Sequence, residues 1–275
     1  MNIKQIQIAL RKSGMFSGFI RMGEDKLMFP SELGMYGTFT TLSLVGESGC
    51  MIKHPVIPYE TPEQARVFLD ECTKSSVEHS QMEFYDDPIS ERIMAVLCTN
   101  IKSENRFLKT IASTVTSFVS TVKWVRDSIA NVVLDAISPV EIDCPTRSLF
   151  YLSLMSSYEC PWGWSSTWGG QIDWNDVKTV WNHSKSVLFL PFLKEGNLYK
   201  QISEHIEQFL KGEPGYLVAY FGLPYYAADT SDALGVDDFI RRLRSQYGCL
   251  ALRGMKIVQS LAAPNKIALV AILKS

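Results

Sequence analysis

Residues Ser186–Gly222 read SVLFLPFLKEGNLYKQISEHIEQFLKGEPGYLVAYFG and change period twice. Ser186–Leu193 is almost wholly apolar, the composition of a strand buried on both faces of a sheet. Leu198, Ile202, Ile206, Phe209 and Leu210 then recur at helical spacing, with Lys200, Glu204, Glu207 and Lys211 opposite them. That pattern predicts an amphipathic helix lying on the sheet. Glu213, Pro214 and Gly215 turn the chain into Tyr216–Phe221, a second buried run. A right-handed crossover through the helix would make the two strands parallel neighbours.

Downstream, Gly222–Gly235 reads as a loop, and Phe239, Ile240, Leu243 and Tyr247 mark one face of a further helix. Cys249–Gln259 and Lys266–Leu273 flank Ala262, Ala263, Pro264 and Asn265, which predicts an antiparallel hairpin closing the sheet. Upstream, Thr38–Pro58 reads as two β-rich runs around Gly46–Gly49. A helix follows, capped by Thr61 with Pro62 at its first position and Ala65, Phe68, Leu69 and Cys72 as its apolar stripe. The acidic stretch Glu83–Pro88 reads as a linker. Beyond it Phe107, Ile111, Val115, Phe118, Val122, Val125, Ile129, Val132 and Ala136 recur in steps of three and four, so a long helix, or two stacked ones, buries one face until Ser138 and Pro139. Its stripe suits a coiled-coil partner or the rest of the same chain. The expected organisation is a small α+β unit over 1–88, a helical segment over 89–140 and an α/β domain over 141–275; Ser148–Met155 is apolar but of ambiguous type.

The order strand, helix, strand, loop, helix and terminal hairpin over residues 183–275 is similar to the second half of class I S-adenosylmethionine-dependent methyltransferases. The resemblance implies a Rossmann-like sheet, S-adenosylmethionine as cofactor and a reactive loop after the strand that begins at Ser186. In members that methylate an adenine nitrogen, this loop carries N-P-P-[FYW]; here it is Phe189, Leu190, Pro191 and Phe192. Pro191 and Phe192 match the last two positions and would form a base-stacking wall. Phe189 departs from the pattern, because its side chain accepts no hydrogen bond from an amine. The glycine-rich cofactor turn is also missing: the nearest stretches are Asn131–Asp143 and Pro161–Gly170.

Trp162, Trp164, Trp168, Trp174 and Trp181 crowd a segment that also holds Gly163, Gly169 and Gly170. Such rings can plug a gap in the core, anchor a protein partner or stack on a base or cofactor, and Trp164 and Trp168 are the candidates for a binding wall. Arg241, Arg242, Arg244, Arg253 and Lys256 form a local basic group. Either they bind phosphate, or they are a solvated face whose order, after Asp237 and Asp238, suits the helix dipole.

Of the 275 residues 46% are hydrophobic and 20% charged, with a net charge of −2, so no global positive field draws the chain to nucleic acid. Contact with nucleic acid would rest on the basic group alone. The six cysteines are too dispersed for paired metal ligands, and His54, His79, His183 and His205 do not cluster with them, so no metal is expected. Free thiols in a reducing, cytoplasmic compartment fit this usage. Cys50 and His54 make an incomplete thiol-nucleophile pattern with no third group. No run is long and apolar enough to span a bilayer, so membrane contact is not expected. Phosphate-loop, GxSxG and HExxH motifs do not occur.

Three functions follow. The first expectation is a methyltransferase-like chain that has lost catalysis and serves as a binding or scaffolding subunit of a nucleic-acid-modifying assembly. The alternatives are an active methyltransferase on nucleic acid or a small molecule, and a structural, self-associating protein of a virus or mobile element.

Overall fold

The computed structural model describes residues 1–31, 39–75, 81–136, 140–142, 165–168, 184, 186–193, 198–224, 241–242, 245–246, 250–260 and 266–274. The chain forms two compact units, Met1–Ile129 and Ala130–Ser275, both of mixed α/β composition.

The first unit opens with helix α1 (Ile3–Lys12). Asn2 caps it reciprocally: its Oδ1 accepts the Gln5 N–H at 3.1 Å, and its own N–H donates to Gln5 Oε1 at 2.7 Å. Ile3, Ile6 and Leu10 form the buried stripe. Strands β1 (Ile20–Met22), β2 (Lys26–Pro30), β3 (Phe39–Val45) and β4 (Gly49–Pro58) follow, then α2 (Pro62–Ser75), β5 (Met82–Asp87), β6 (Arg92–Asn100) and α3 (Glu104–Ser128). The sheet order is β1-β2-β3-β4-β6-β5, with every pairing antiparallel. The β3–β4 hairpin and the α2 cap match the sequence reading, with Thr61 Oγ1 accepting the Gln64 N–H at 3.2 Å.

The expected boundary near residue 88 does not stand. Glu83–Asp87 lies in β5, a sheet edge, where acidic side chains are tolerated because one flank of the ladder faces solvent. Arg92–Asn100, placed by the sequence reading in a helical segment, is β6. Its middle residues Ala95 and Val96 are buried on opposite faces, which blurs the two-residue alternation that marks a strand. The long helix begins at Glu104 and belongs to the first unit, where it contacts α1, α2 and β4.

Leu27, Phe29, Leu42, Ile52, Ile93 and Ala95 line the inner face of this sheet, and Phe68, Ile111, Val115, Phe118 and Val122 from the helices close the core. All are within 3% of complete burial, so the core is a continuous apolar layer.

The second unit contains α4 (Ala130–Ala136), β7 (Val140–Ile142), β8 (Ser165–Trp168), β9 (Ser186–Leu193), α5 (Leu198–Leu210), β10 (Gly215–Pro224), β11 (Leu250–Ser260) and β12 (Lys266–Lys274). Its order is β7-β9-β12-β10-β11-β8. Two expectations are corrected here. β9 and β10 share a sheet and a direction, but they are not neighbours: β12 lies between them, antiparallel to both. Nor do β11 and β12 form a hairpin, because β10 separates them and pairs parallel with β11. The long apolar run of β12 explains the placement, since a strand with a neighbour on each side is buried like a central parallel strand. Val187, Leu188, Leu190, Leu217, Ile272 and Leu273 are buried.

Helix α5 packs on β9 and β12 and buries Ile206, Phe209 and Leu210, as its stripe predicts. It ends at Gly212, whose φ of 82° favours glycine. A Cβ on Gly215 would meet Leu210 Cδ2 at 2.8 Å and the Leu273 carbonyl oxygen at 3.0 Å, so a larger residue would have to displace the Leu210 side chain and press on β12.

Candidate functional site

The chemistry of the described residues concentrates in the first unit, in a buried polar cluster, an uncovered sheet face and a groove between two helices. The cluster is centred on His54 of β4, which is fully buried. Thr40 Oγ1 of β3 lies 3.0 Å from His54 Nδ1, Ser31 Oγ lies 3.4 Å from it, and the Thr40 hydroxyl donates to Ser31. Burial, and then the charge of Arg126 on α3, lowers the His54 pKa to about 3. An imidazole held neutral in this way packs and orients its neighbours, and it is unsuited to proton exchange near neutrality.

Cys50 does not form a nucleophile with His54. Both point inward from β4, four residues apart, and residues at that spacing along a strand are about 13 Å apart. Burial raises the Cys50 thiol to about 12, and it does the same for Cys72 on α2. Both are therefore inert protonated thiols. Among the described residues no group of three or more His, Cys, Asp or Glu is placed to hold a metal ion. No helix among them is long and apolar enough to cross a membrane.

The inner face of the first sheet carries the helices, whereas the outer face presents Ile20 and Met22 of β1, Phe39 and Val45 of β3, and Cys98 of β6 as exposed side chains. Met28, Met51 and Met94 are half-buried between them. Lys53 Nζ sits 5.0 Å from the centre of the Tyr85 ring on this face. The face thus mixes apolar side chains with Lys26, Thr41, Ser43, Lys53 and Glu83, and it carries several methionines, whose flexible thioether adapts to differently shaped surfaces.

Helices α1 and α3 run side by side in the same direction. Their N-termini are tied through Glu104, which accepts from Gln5 Nε2 at 2.8 Å and pairs with the Met1 ammonium at 3.1 Å. Further along, Ile8, Ala9 and Lys12 of α1 face Leu108, Lys109 and Ala112 of α3 across an open groove of about 530 Å³. None of the groove's lining residues is acidic.

The residues singled out from the sequence do not converge in one described site. Pro191 and Phe192 lie within β9, in register with Leu269 and Ala268 of β12, and not in a loop beyond a strand. β7 reaches only as far as Phe189, so Pro191 occupies a strand position with no described ladder partner on that flank. Trp168 ends β8, opposite Ile257 of β11. Arg241 and Arg242 are exposed helical residues. Arg253 sits at the irregularity in the β10–β11 register, and Lys256 pairs with Tyr220. Trp164, Arg244, the remaining tryptophans of that segment, Ser148–Met155 and the helix around Phe239 fall outside the described residues.

Sequence reasoning missed the groove and the outer face. The exposed Ile8, which breaks the polar side of α1, was the one local signal for the groove.

No protein-family model matches the chain, and no curated protein does. Among solved structures it is similar to one described as a HopA1–SchA chaperone–effector complex, with 11% identity and a TM-score of 0.34, over 46% of this chain and 92% of that one. A second is YbjN, described as a putative transcription regulator from E. coli, with 10% identity and a TM-score of 0.35, over 46% and 90%. A third is an uncharacterized protein from Methanothermobacter thermautotrophicus, with 11% identity and a TM-score of 0.29, over 46% and 96%. At these scores the likeness assigns neither a family nor an activity.

Proposed function

We propose that the chain is a cytoplasmic binding or scaffolding protein that engages a protein partner through the outer face of its first sheet. The supporting observation is that face itself: Phe39 and Val45 are exposed on β3, whose opposite side packs into the core through Thr40 and Leu42, and Ile20 and Met22 are exposed on the edge strand β1. A folded protein gains nothing for its own stability from large apolar side chains held in water, and several of them on one sheet face support an interaction site. The buried, neutral His54 and the inert Cys50 and Cys72 supply no catalytic group beside it.

Site-specific photo-crosslinking tests the reading. A photoreactive residue at Phe39 should capture one partner in the source cells, and Met22→Asp with Val45→Asp should abolish the capture; the same probe at Ser113, on the exposed side of α3, should capture none. Equal capture at both positions would rule the face out.

A second reading is methyl transfer by the second unit with S-adenosylmethionine. It is favoured by one observation, that β9, β10 and β11 run in a common direction in one sheet, with α5 joining the first two. In that reading Pro191, Phe192, Trp164 and Trp168 frame the pocket, and Arg241, Arg242, Arg244, Arg253 and Lys256 supply a nucleic-acid contact. Calorimetric titration with S-adenosylmethionine separates the two: heat of binding supports the catalytic reading, and its absence supports the binding subunit.

A further inference from the structure

The turn joining β5 to β6 carries Ile89 at 95% exposure, more than any other large hydrophobic side chain among the described residues. It is not a loose tip. The Ile89 N–H donates to Asp87 Oδ1 at 3.3 Å, the Ser90 hydroxyl donates to Asp87 Oδ2 at 2.8 Å, and the Tyr59 N–H donates to the Glu91 carbonyl at 3.0 Å. Glu91 takes a φ of 50°, and the Tyr59 hydroxyl donates to Asp86 in a short hydrogen bond. An isoleucine is thereby fixed in water on a braced turn.

Its surroundings are acidic on balance, with three carboxylates beside the one base, Arg92, that stands opposite Asp87. Asp86, Asp87 and Glu91 lie close enough together that, after burial, all three help to raise the Tyr59 pKa, to about 12. The α1–α3 groove is the converse, lined by Ile8, Ala9, Leu108 and Ala112 with the neutral Gln5, Ser13 and Asn105, and by Lys12 and Lys109. Helix α1 has no acidic residue, and it adds Lys4 and Arg11 to the basic side. The one carboxylate at its closed end, Glu104, is already engaged by Met1 and Gln5.

We infer that copies of this chain associate head to tail, the Ile89 turn of one seating in the α1–α3 groove of the next. The apolar knob meets Ile8, Ala9, Leu108 and Ala112, and Asp86, Asp87 and Glu91 meet Lys12 and Lys109. The contact cannot close within one molecule. The turn sits at the Arg92 end of β6 and the groove lies near the start of α3, which follows the Asn100 end; the strand between spans about 30 Å. The two surfaces differ, so the association is heterologous and open-ended. One turn in one groove covers less than an ordinary stable interface, so the association is weak and responds to salt. It uses neither Ile20 nor Phe39, and it stands or falls independently of the outer-face reading.

Sedimentation velocity of the full chain over a concentration series is the test, with variants chosen at exposed positions so that folding is spared. The wild type should sediment faster as concentration rises, less so in high salt. Ile89→Asp should weaken association by at least about tenfold, as the loss of a central apolar anchor does. The double variant Lys12→Glu, Lys109→Glu should do the same. Mixed in equal amounts, the two should associate again and stop at a dimer, because the intact turn of one fits the intact groove of the other and only damaged surfaces remain. A wild type that stays a single monomeric species, an Ile89→Asp variant that associates as well as wild type, or a mixture that recovers nothing would each overturn the inference.

Discussion

Acidification should loosen the first unit through His54 well before its carboxylates protonate. In the unfolded chain this imidazole takes a proton near pH 6.5, while in the fold burial and the Arg126 charge lower its pKa to about 3. Between these values the unfolded state binds one more proton than the native state, so stability falls as pH falls. It is complete above about pH 6.5 and lost progressively toward pH 3. Well inside the window each pH unit costs about 1.4 kcal/mol, and the step from pH 6.5 to pH 4.5 costs about 2 kcal/mol, a large fraction of a typical domain's stability. Urea unfolding of the full chain, followed at the methyl NMR signals of Ile52 and Ile93 in the first core, measures this directly. His54→Gln supplies the control: it keeps a neutral hydrogen-bonding side chain and removes the titration. The variant should start less stable at pH 7 and show a flatter dependence between pH 6.5 and 4.5. Equal slopes for the two proteins, or an imidazole signal titrating near pH 6 in the folded wild type, would refute the reasoning.

Phe68→Ala should destabilise the first unit by about 3–5 kcal/mol, because the ring is fully buried between α2 and the sheet and its loss leaves a cavity; denaturant unfolding measures it. Thr61→Ala removes the cap on the Gln64 N–H and should cost about 1 kcal/mol in the same assay. Alkylation followed by peptide mapping should modify exposed Cys98 well before Cys50 or Cys72, whose buried thiols are pushed up to about 12; rapid labelling of Cys50 in the folded protein would contradict the packing of β4.

Elements specified by near neighbours in sequence were legible. Helix α2 shows its cap, its first-turn proline and its apolar stripe within a dozen residues, and α5 shows its stripe beside two apolar runs. β5 and β6 were not, for opposite reasons. β5 is an edge whose acids resemble a linker, and β6 is buried on both faces at its centre, so neither alternates cleanly. The site was harder still. Gln5 meets Glu104 across 99 positions, and no local pattern in α1 or α3 announces that the two helices lie side by side.

From the amino-acid order alone came β9 and β10 as buried apolar runs, the amphipathic faces of the helices, and the want of any phosphate-loop, hydrolase or metalloprotease motif. These depend on the period of apolar residues and on short spacings, which a chain carries whether folded or not. Strand neighbours and surface came from the fold. β12 slots between β9 and β10 because a strand so apolar is covered best with a partner on each flank, and the sequence cannot say which of several apolar runs those partners are. The outer sheet face, the braced Ile89 turn and the lysine-edged groove arise from what distant segments leave uncovered after the core has closed, a property of packing that no single stretch contains.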